Sequence, residues 1–315
     1  MAELSLPHPD SASRRGHRRL GTVMVLTAAT LFSINGVLSK IALQASDIGT
    51  LRWTELRSTG AFALLGLWLV LRRPGALRLD RKDIVRFAVY GVLGFLCIQW
   101  LYFVAIERLP IGIALIFEFS GVVLIALWAR FVWHQPVRNR VWPALVLVLG
   151  GLALVARVWE GATLDALGVI AAFAAAASLA LFYLQGERLM GTRDVVAVSG
   201  LGLGFASLTW AIAQPWWSFP FATLTEQADL PGSLGTVPIW TFALYTVLLG
   251  TVAPFLLSIG ALRYLSATGV GILATSEPVI ASVIAWAWLG ESLLAVQLLG
   301  GLVVLVGIVL AETAR

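Results

Sequence analysis

The sequence predicts an all-α membrane protein of ten transmembrane helices, arranged as two inverted five-helix repeats. Three observations predict it. Hydrophobic residues make up 59% of the 315 and charged residues 12%, whereas a soluble domain carries about 25% charged residues. Apolar runs recur along the chain, each near the ~20 residues that cross a ~30 Å hydrocarbon core. Finally, the two halves share short motifs at a nearly constant spacing.

The apolar runs lie at 20–40, 48–71, 84–106, 110–133, 141–159, 164–184, 195–216, 237–262, 267–289 and 293–310. No water satisfies the backbone within lipid, so a spanning segment is a helix or a strand of a closed barrel. These runs are too long and too evenly apolar for barrel strands, which leaves helices. The expected organisation is a basic tail over 1–19, a first five-helix repeat over 20–160 and a second over 161–312. The run from Ser13 to Arg19 precedes a long apolar segment and about nine further spans, so its arginines are expected to anchor the first helix rather than to form a cleaved signal. The longest polar connection, 217–238, is expected to be an ordinary surface loop, with a lid over the exit as the alternative.

Lysine and arginine set the expected orientation. With a cytoplasmic N-terminus, seventeen of the 22 fall in inward-facing segments, including Arg72, Arg73, Arg78, Arg81, Lys82 and Arg86. This bias places both termini in the cytoplasm and the chain in the inner membrane. Tryptophans 133, 159, 216, 217 and 240 stand near the expected span ends, where an aromatic belt would sit. The net charge of +5 is therefore read as membrane topology, and no nucleic-acid partner is expected. The single cysteine, Cys97, excludes a disulfide framework. His8, His17 and His134 lie outside the likely spans, so neither a metal site nor a cofactor is expected.

The internal repeat is read from two segments. Gly112 and Gly271, like Glu118 and Glu277, are 159 positions apart, whereas Gly151 and Gly307 are 156 apart. Five spans per half reverse the orientation of the second half, a plan found in secondary transporters.

Ionised side chains at the bilayer centre cost roughly 2.5–3.5 kcal/mol on insertion scales and mark candidate sites. Glu118 stands about 12 Å into the fourth run and Glu277 about 15 Å into the ninth, at 1.5 Å per residue. Arg57 lies at a depth similar to Glu118 in the second run. Low-dielectric surroundings disfavour the charged form of any carboxyl, which equips such a group for proton exchange. Arginine stays charged and offers a planar fork to a carboxylate. Together the three suit a zwitterion, with Glu118 and Glu277 as substrate-binding and proton-coupling groups and Arg57 holding the carboxylate. The alternative is an Arg57–Glu118 pair that only makes both insertable. Asn35, Gln99 and Tyr102 are lesser candidates for substrate contact, and each is equally explained by a hydrogen bond to a neighbouring helix. Pro278 and Pro254 are candidate helix breaks: each lacks a backbone donor, and Pro278 would free the carbonyl of Ala274.

No His-Glu-x-x-His motif, no Ser/His/Asp set and no phosphate-cradling loop occurs, so no catalytic residues and no enzyme activity are expected. Two other readings stay open: a multi-span membrane enzyme using Glu118 and Glu277 as paired carboxylates on a lipid-linked substrate, and a structural or sensory membrane subunit.

The segment from Leu109 through Pro110, Gly112 and Ala114 to Glu118-Phe119-Ser120-Gly121, and the second from Gly271 through Ser276-Glu277-Pro278 to Leu289-Gly290-Glu291-Ser292-Leu293 and Gln297, resemble EamA-type transporters of the drug/metabolite transporter superfamily. Within that group the threonine/homoserine exporter branch is the nearer likeness, and Arg57 is similar to the arginine common in its second span. The resemblance implies a central cavity and export of amino acids or related small metabolites. Three departures stand out: Val122 replaces a usual proline, Ser258 a frequent acid, and His134-Gln135 the Gly-Glu pair seen at Gly290-Glu291.

Overall fold

The computed structural model describes residues 11–106, 108, 111–157, 159, 165–229, 235–289 and 294–313. Among these the chain forms ten spans. Span 1 is Ser11–Gln44, span 2 is Thr50–Arg72, and span 3 runs through Arg81–Val89, Tyr90–Leu96 and Cys97–Ile106. Span 4 comprises Ile111–Phe119 and Gly121–Phe131, span 5 is Val141–Ala156, span 6 Ala166–Met190 and span 7 Val195–Ala213. Span 8 runs through Ile239–Val247, Leu248–Val252 and Ala253–Ala261, span 9 through Ala267–Ala274 and Ser276–Leu289, and span 10 is Ala295–Thr313. Most ends fall within a few residues of expectation, but span 1 begins nine residues earlier and span 6 ends six later.

Local chemistry fixes where several spans begin. Asp80, Asp165, Asp194 and Ser266 each precede a helix and accept from a backbone N–H in its first turn: Asp83, Gly168, Val196 with Ala197, and Gly269 respectively. These side chains satisfy donors that have no partner inside the helix.

The packing has the two-fold symmetry expected of inverted repeats. Exchanging each span with the one five places on reproduces most of the neighbour pattern, though the contacts of span 6 with spans 8 and 9 have no counterpart of similar extent at span 1: spans 2 and 7, 4 and 9, and 5 and 10 pack on each other. Contact of span 1 with span 8 is matched by span 6 with span 3, 1 with 9 by 6 with 4, and 2 with 8 by 7 with 3. Five spans reverse the chain's direction, so the axis relating the halves lies in the membrane plane.

The contact between spans 5 and 10 fixes the register. A Cβ at Gly151 would stand 2.7 Å from the Gly300 carbonyl and from Val304, and one at Gly307 would stand 2.9 Å from Val148 and 3.0 Å from the Ala144 carbonyl. Each contact becomes the other on adding or removing 156. Spans 5 and 10 are therefore related by the 156 spacing. Carried along the chain to spans 4 and 9, that spacing sets Glu277 against Gly121 and Glu118 against Ala274.

Spans 3 and 8, partners in the repeat, both loosen midway. At Tyr90–Leu96 and Leu248–Val252 the backbone bonds reach five residues back instead of four, as from Cys97 to Val92 and from Ala253 to Leu248. Spans 4 and 9, also partners, break at Ser120 and Thr275. Hydroxyls bond the carbonyls at these turns: Ser120 donates to Phe117 at 2.5 Å, Thr275 to Ile272 at 2.5 Å and Ser276 to Leu273 at 2.7 Å, the first two carbonyls also accepting the backbone N–H of the same residue at 3.2 Å. Pro278 thus lies in the first turn of a new helix, where its missing N–H is tolerated, and does not kink a continuous one.

Arginines clasp spans 2 and 7 at both ends. Near the start of span 2, Arg52 pairs with Glu55 at 2.7 Å and reaches across to Ser218 at 2.6 Å and the Pro215 carbonyl at 3.4 Å. Near the start of span 7, Arg193 pairs with Asp83 and donates to the carbonyls of Ala76 at 2.7 Å and Arg78 at 3.2 Å. The second clasp lies on what we call the basic face, with Arg72, Arg73, Arg78 and Arg81. The 217–238 connection is more ordered than a plain surface loop. Trp216 stacks on both Phe219 and Phe221, and Gln227–Asp229 pairs antiparallel with Thr236–Pro238. Trp159, Trp217 and Trp240 are exposed, whereas Trp133 lies under the Arg188 guanidinium at 4.4 Å.

Candidate substrate site

Arg57, in span 2, is buried and anchored on the loosened turn of span 8. Its Nε donates to Thr251 Oγ1 at 3.1 Å and its Nη2 to the Gly250 carbonyl at 2.9 Å. That carbonyl is open because Pro254, four residues on, has no N–H to offer it. Thr251 donates in turn to the Thr246 carbonyl at 2.7 Å. The opening made by Pro254 is therefore filled by an arginine of the other half. Asn35 of span 1 packs on the same turn: a Cβ at Gly250 would overlap its Oδ1, so only glycine admits the two groups together. Asn35 Oδ1 also accepts weakly from Ser39, at 3.5 Å, whose hydroxyl accepts from Trp53 Nε1 at 3.1 Å.

The charge facing Arg57 is Glu277 in span 9, with which it interacts electrostatically. Glu277 also interacts with Glu118 of span 4. Two of the three sequence-predicted charges thus carry the attraction, and the third is a carboxylate set against another carboxylate. Among the described residues Arg57 makes no ion pair with Glu118, and the acid it interacts with electrostatically is Glu277. Both carboxyls are half-buried, and neither has a hydrogen-bond partner among the described residues. The backbone of Glu277 is held from span 1: Ser33 Oγ lies 2.9 Å from its carbonyl and 2.8 Å from that of Ala29.

Two tyrosines complete the group. Tyr102 of span 3 and Tyr183 of span 6 each lie within electrostatic reach of both carboxyls. Tyr102 was expected here; Tyr183 was not, because a tyrosine in an alanine-rich span reads as packing. Gln99 stands one turn before Tyr102 on the same side of span 3. Its Nε2 donates to the Phe95 carbonyl of its own helix at 2.8 Å, while its buried Oε1 has no partner among the described residues. Toward the basic face, aromatic rings close the space beneath these groups. Phe95 meets Phe255 at 4.7 Å and Phe182 at 5.1 Å, Phe182 meets Tyr183 at 5.1 Å, and Phe32 meets Phe255 at 5.2 Å. Spans 1, 3, 6 and 8 all contribute.

Chemically the arrangement offers one fixed cation, two carboxyls with open hydrogen-bonding positions and two phenols, all contributed by five different spans across both halves. Such a set can bind a small polar solute and change its own protonation without a metal ligand cluster, of which none is found among the described residues. The Leu109-Pro110 and Gly290-Glu291-Ser292-Leu293 motifs lie outside the described residues.

Comparison with known proteins agrees with this picture. The EamA-like transporter family model matches twice, over residues 19–157 and 166–313. The threonine/homoserine exporter RhtA of Escherichia coli is 28% identical over 88% of this chain and 86% of its own length. The uncharacterized transporter YwfM of Bacillus subtilis is 25% identical over 93% and 94%. A solved crystal structure superposes with a TM-score of 0.72, covering 94% of this chain and 97% of the other at 18% identity, a likeness of fold. With both halves matched, the chain is a membrane transporter and belongs to the EamA-like transporter family.

Proposed function

We propose that the protein exports amino acids or related small zwitterionic metabolites across the inner membrane by alternating access, exchanging them for protons. The observation that carries this reading is the convergence of Arg57, Glu118 and Glu277 between the two halves, with both carboxyls open to a ligand. Arg57 receives the substrate carboxylate, keeping its position because two of its donors are fixed on span 8. Glu277 and Glu118 receive the ammonium when ionised and release it on protonation, since a cation and a proton compete for the same carboxyl. Tyr102 and Tyr183 supply hydroxyls for a polar side chain. The name of the relative RhtA, a threonine/homoserine exporter, supports a hydroxylated amino acid as the first solute to test.

The loosened turns of spans 3 and 8 and the breaks in spans 4 and 9 support a transition in which the halves exchange roles about the in-plane axis. The distribution of lysine and arginine supports cytoplasmic termini. The test is flux of labelled amino acids through proteoliposomes holding the full chain, with and without a pH gradient. Saturable flux that the gradient accelerates for at least one zwitterion is expected. Absence of flux for every amino acid, alongside transport of uncharged solutes, would overturn the reading.

A further inference from the structure

A second opening lies far from the carboxyl pair. A cleft of about 690 Å³ on the basic face sits between the end of span 2, the turn from span 6 to span 7 and the end of span 8, and Arg73, Arg193, Arg263, Asp194, Thr192 and Met190 are among its lining. Its charges are unevenly committed. Arg193 is held by Asp83 and two carbonyls and serves the clasp described above. Asp194 spends one oxygen on the backbone of Val196 and Ala197, both at 3.1 Å, and offers the other to Arg73 at 3.4 Å. Arg73 is 59% exposed in that pair, and such an exposed pair holds its partner weakly. Arg263 is exposed and has no partner among the described residues. The cleft therefore presents at least two cations whose charge the protein leaves largely unanswered.

We infer that this cleft binds the phosphate-bearing headgroup of an anionic phospholipid, with Arg73 and Arg263 as its ligands. The same phosphate chemistry is available from a soluble anion, but the surroundings favour a lipid. Val70, one turn before Arg73, and Leu71 are exposed at the end of span 2. They offer an acyl chain a surface beside the cleft, and a free phosphate makes no use of it. Cationic pockets where spans end at the membrane surface suit anionic headgroups for this reason. The site is distinct from the Arg57–Glu118–Glu277 group and does not depend on what that group carries.

The test uses the full chain purified in detergent and read by thermal unfolding and by native mass spectrometry of retained lipid. The additives are phosphatidylglycerol, phosphatidylcholine and inorganic phosphate, applied to wild type, to the Arg73→Gln/Arg263→Gln double variant and to the charge-preserving Arg73→Lys/Arg263→Lys variant. Phosphatidylglycerol is expected to raise the wild-type melting temperature and to be retained, with affinity about thirtyfold lower in the glutamine variant and largely kept in the lysine variant. The lysine variant also controls for folding, because it removes the same side chains. Equal lipid retention by the glutamine variant overturns the site. An equal response to phosphatidylcholine overturns the role of charge, and an equal response to inorganic phosphate overturns the lipid as the ligand.

Discussion

Replacing Arg57 by lysine keeps the charge opposite Glu277 but removes the fork that makes the site. The guanidinium bridges two acceptors on span 8, Thr251 Oγ1 at 3.1 Å and the Gly250 carbonyl at 2.9 Å. A lysine ammonium reaches one of them and offers no planar pair of donors to a substrate carboxylate. Losing one hydrogen bond made by a charged group costs about 1.5–3 kcal/mol in soluble proteins. Polar contacts between membrane helices average nearer ~0.6 kcal/mol, so the fall in stability is bracketed between these. The loss of bidentate carboxylate binding adds a separate effect on substrate, about tenfold to a hundredfold in KM. Thr251→Val separates the two: it strips an acceptor from Arg57 while leaving its charge and fork in place. Thermal unfolding should fall for both variants, whereas KM for zwitterion flux should rise mainly in Arg57→Lys. Wild-type KM in Arg57→Lys, alongside the lowered stability, would show that Arg57 only fastens span 2 to span 8 and would refute its part in binding.

Three further outcomes follow from the packing and the clasps. Gly151→Val should lower stability by about 1–3 kcal/mol, because the side chain meets the Gly300 carbonyl and Val304 across the seam of spans 5 and 10. The adjacent Gly150→Ala, which meets nothing within 4 Å, should leave the melting temperature unchanged. Arg193→Ala should cost about 1–3 kcal/mol through the unpaired Asp83 and the two abandoned carbonyls, read as increased proteolysis of the 73–80 turn and a lower melting temperature. Gly250→Ala should displace Asn35 or Arg57 and depress transport more than it depresses expression.

Much of this architecture was legible in the residues themselves. Ten apolar runs gave ten spans because lipid leaves the backbone no alternative to helices. Arg57, Glu118 and Glu277 stood out because charge in hydrocarbon is costly enough to need a common cause, and the structure does gather them. The sequence offers two spacings for the repeat, 159 from the glutamates and 156 from Gly151 and Gly307, and the packing of spans 5 and 10 follows the second. The break at Ser120 carries no proline; there the Phe117 carbonyl accepts both the hydroxyl and the backbone N–H of Ser120 instead of an N–H one turn on. Pro278 looked like the cause of the second break, yet Thr275 and Ser276 cap the carbonyls before it. Ser33 and Thr251 leave no signal because hydroxyls inside apolar helices usually bond their own backbone, and Tyr183 leaves none because a tyrosine among alanines reads as packing. Their partners come from distant spans, which no local pattern records. Pairing in the 217–238 connection was hidden for a similar reason, since three-residue strands leave no alternation to read.

The exchange of solute for protons at Glu118 and Glu277 is tested most directly by the gradient dependence of flux in single carboxyl-to-amide variants. Glu277→Gln and Glu118→Gln keep size and shape but cannot bind and release a proton. In proteoliposomes at fixed internal and external substrate, wild type should respond to an imposed pH gradient, and Glu277→Gln, which loses the charge facing Arg57, should lose that response. A gradient response of wild-type size in both variants would contradict the account.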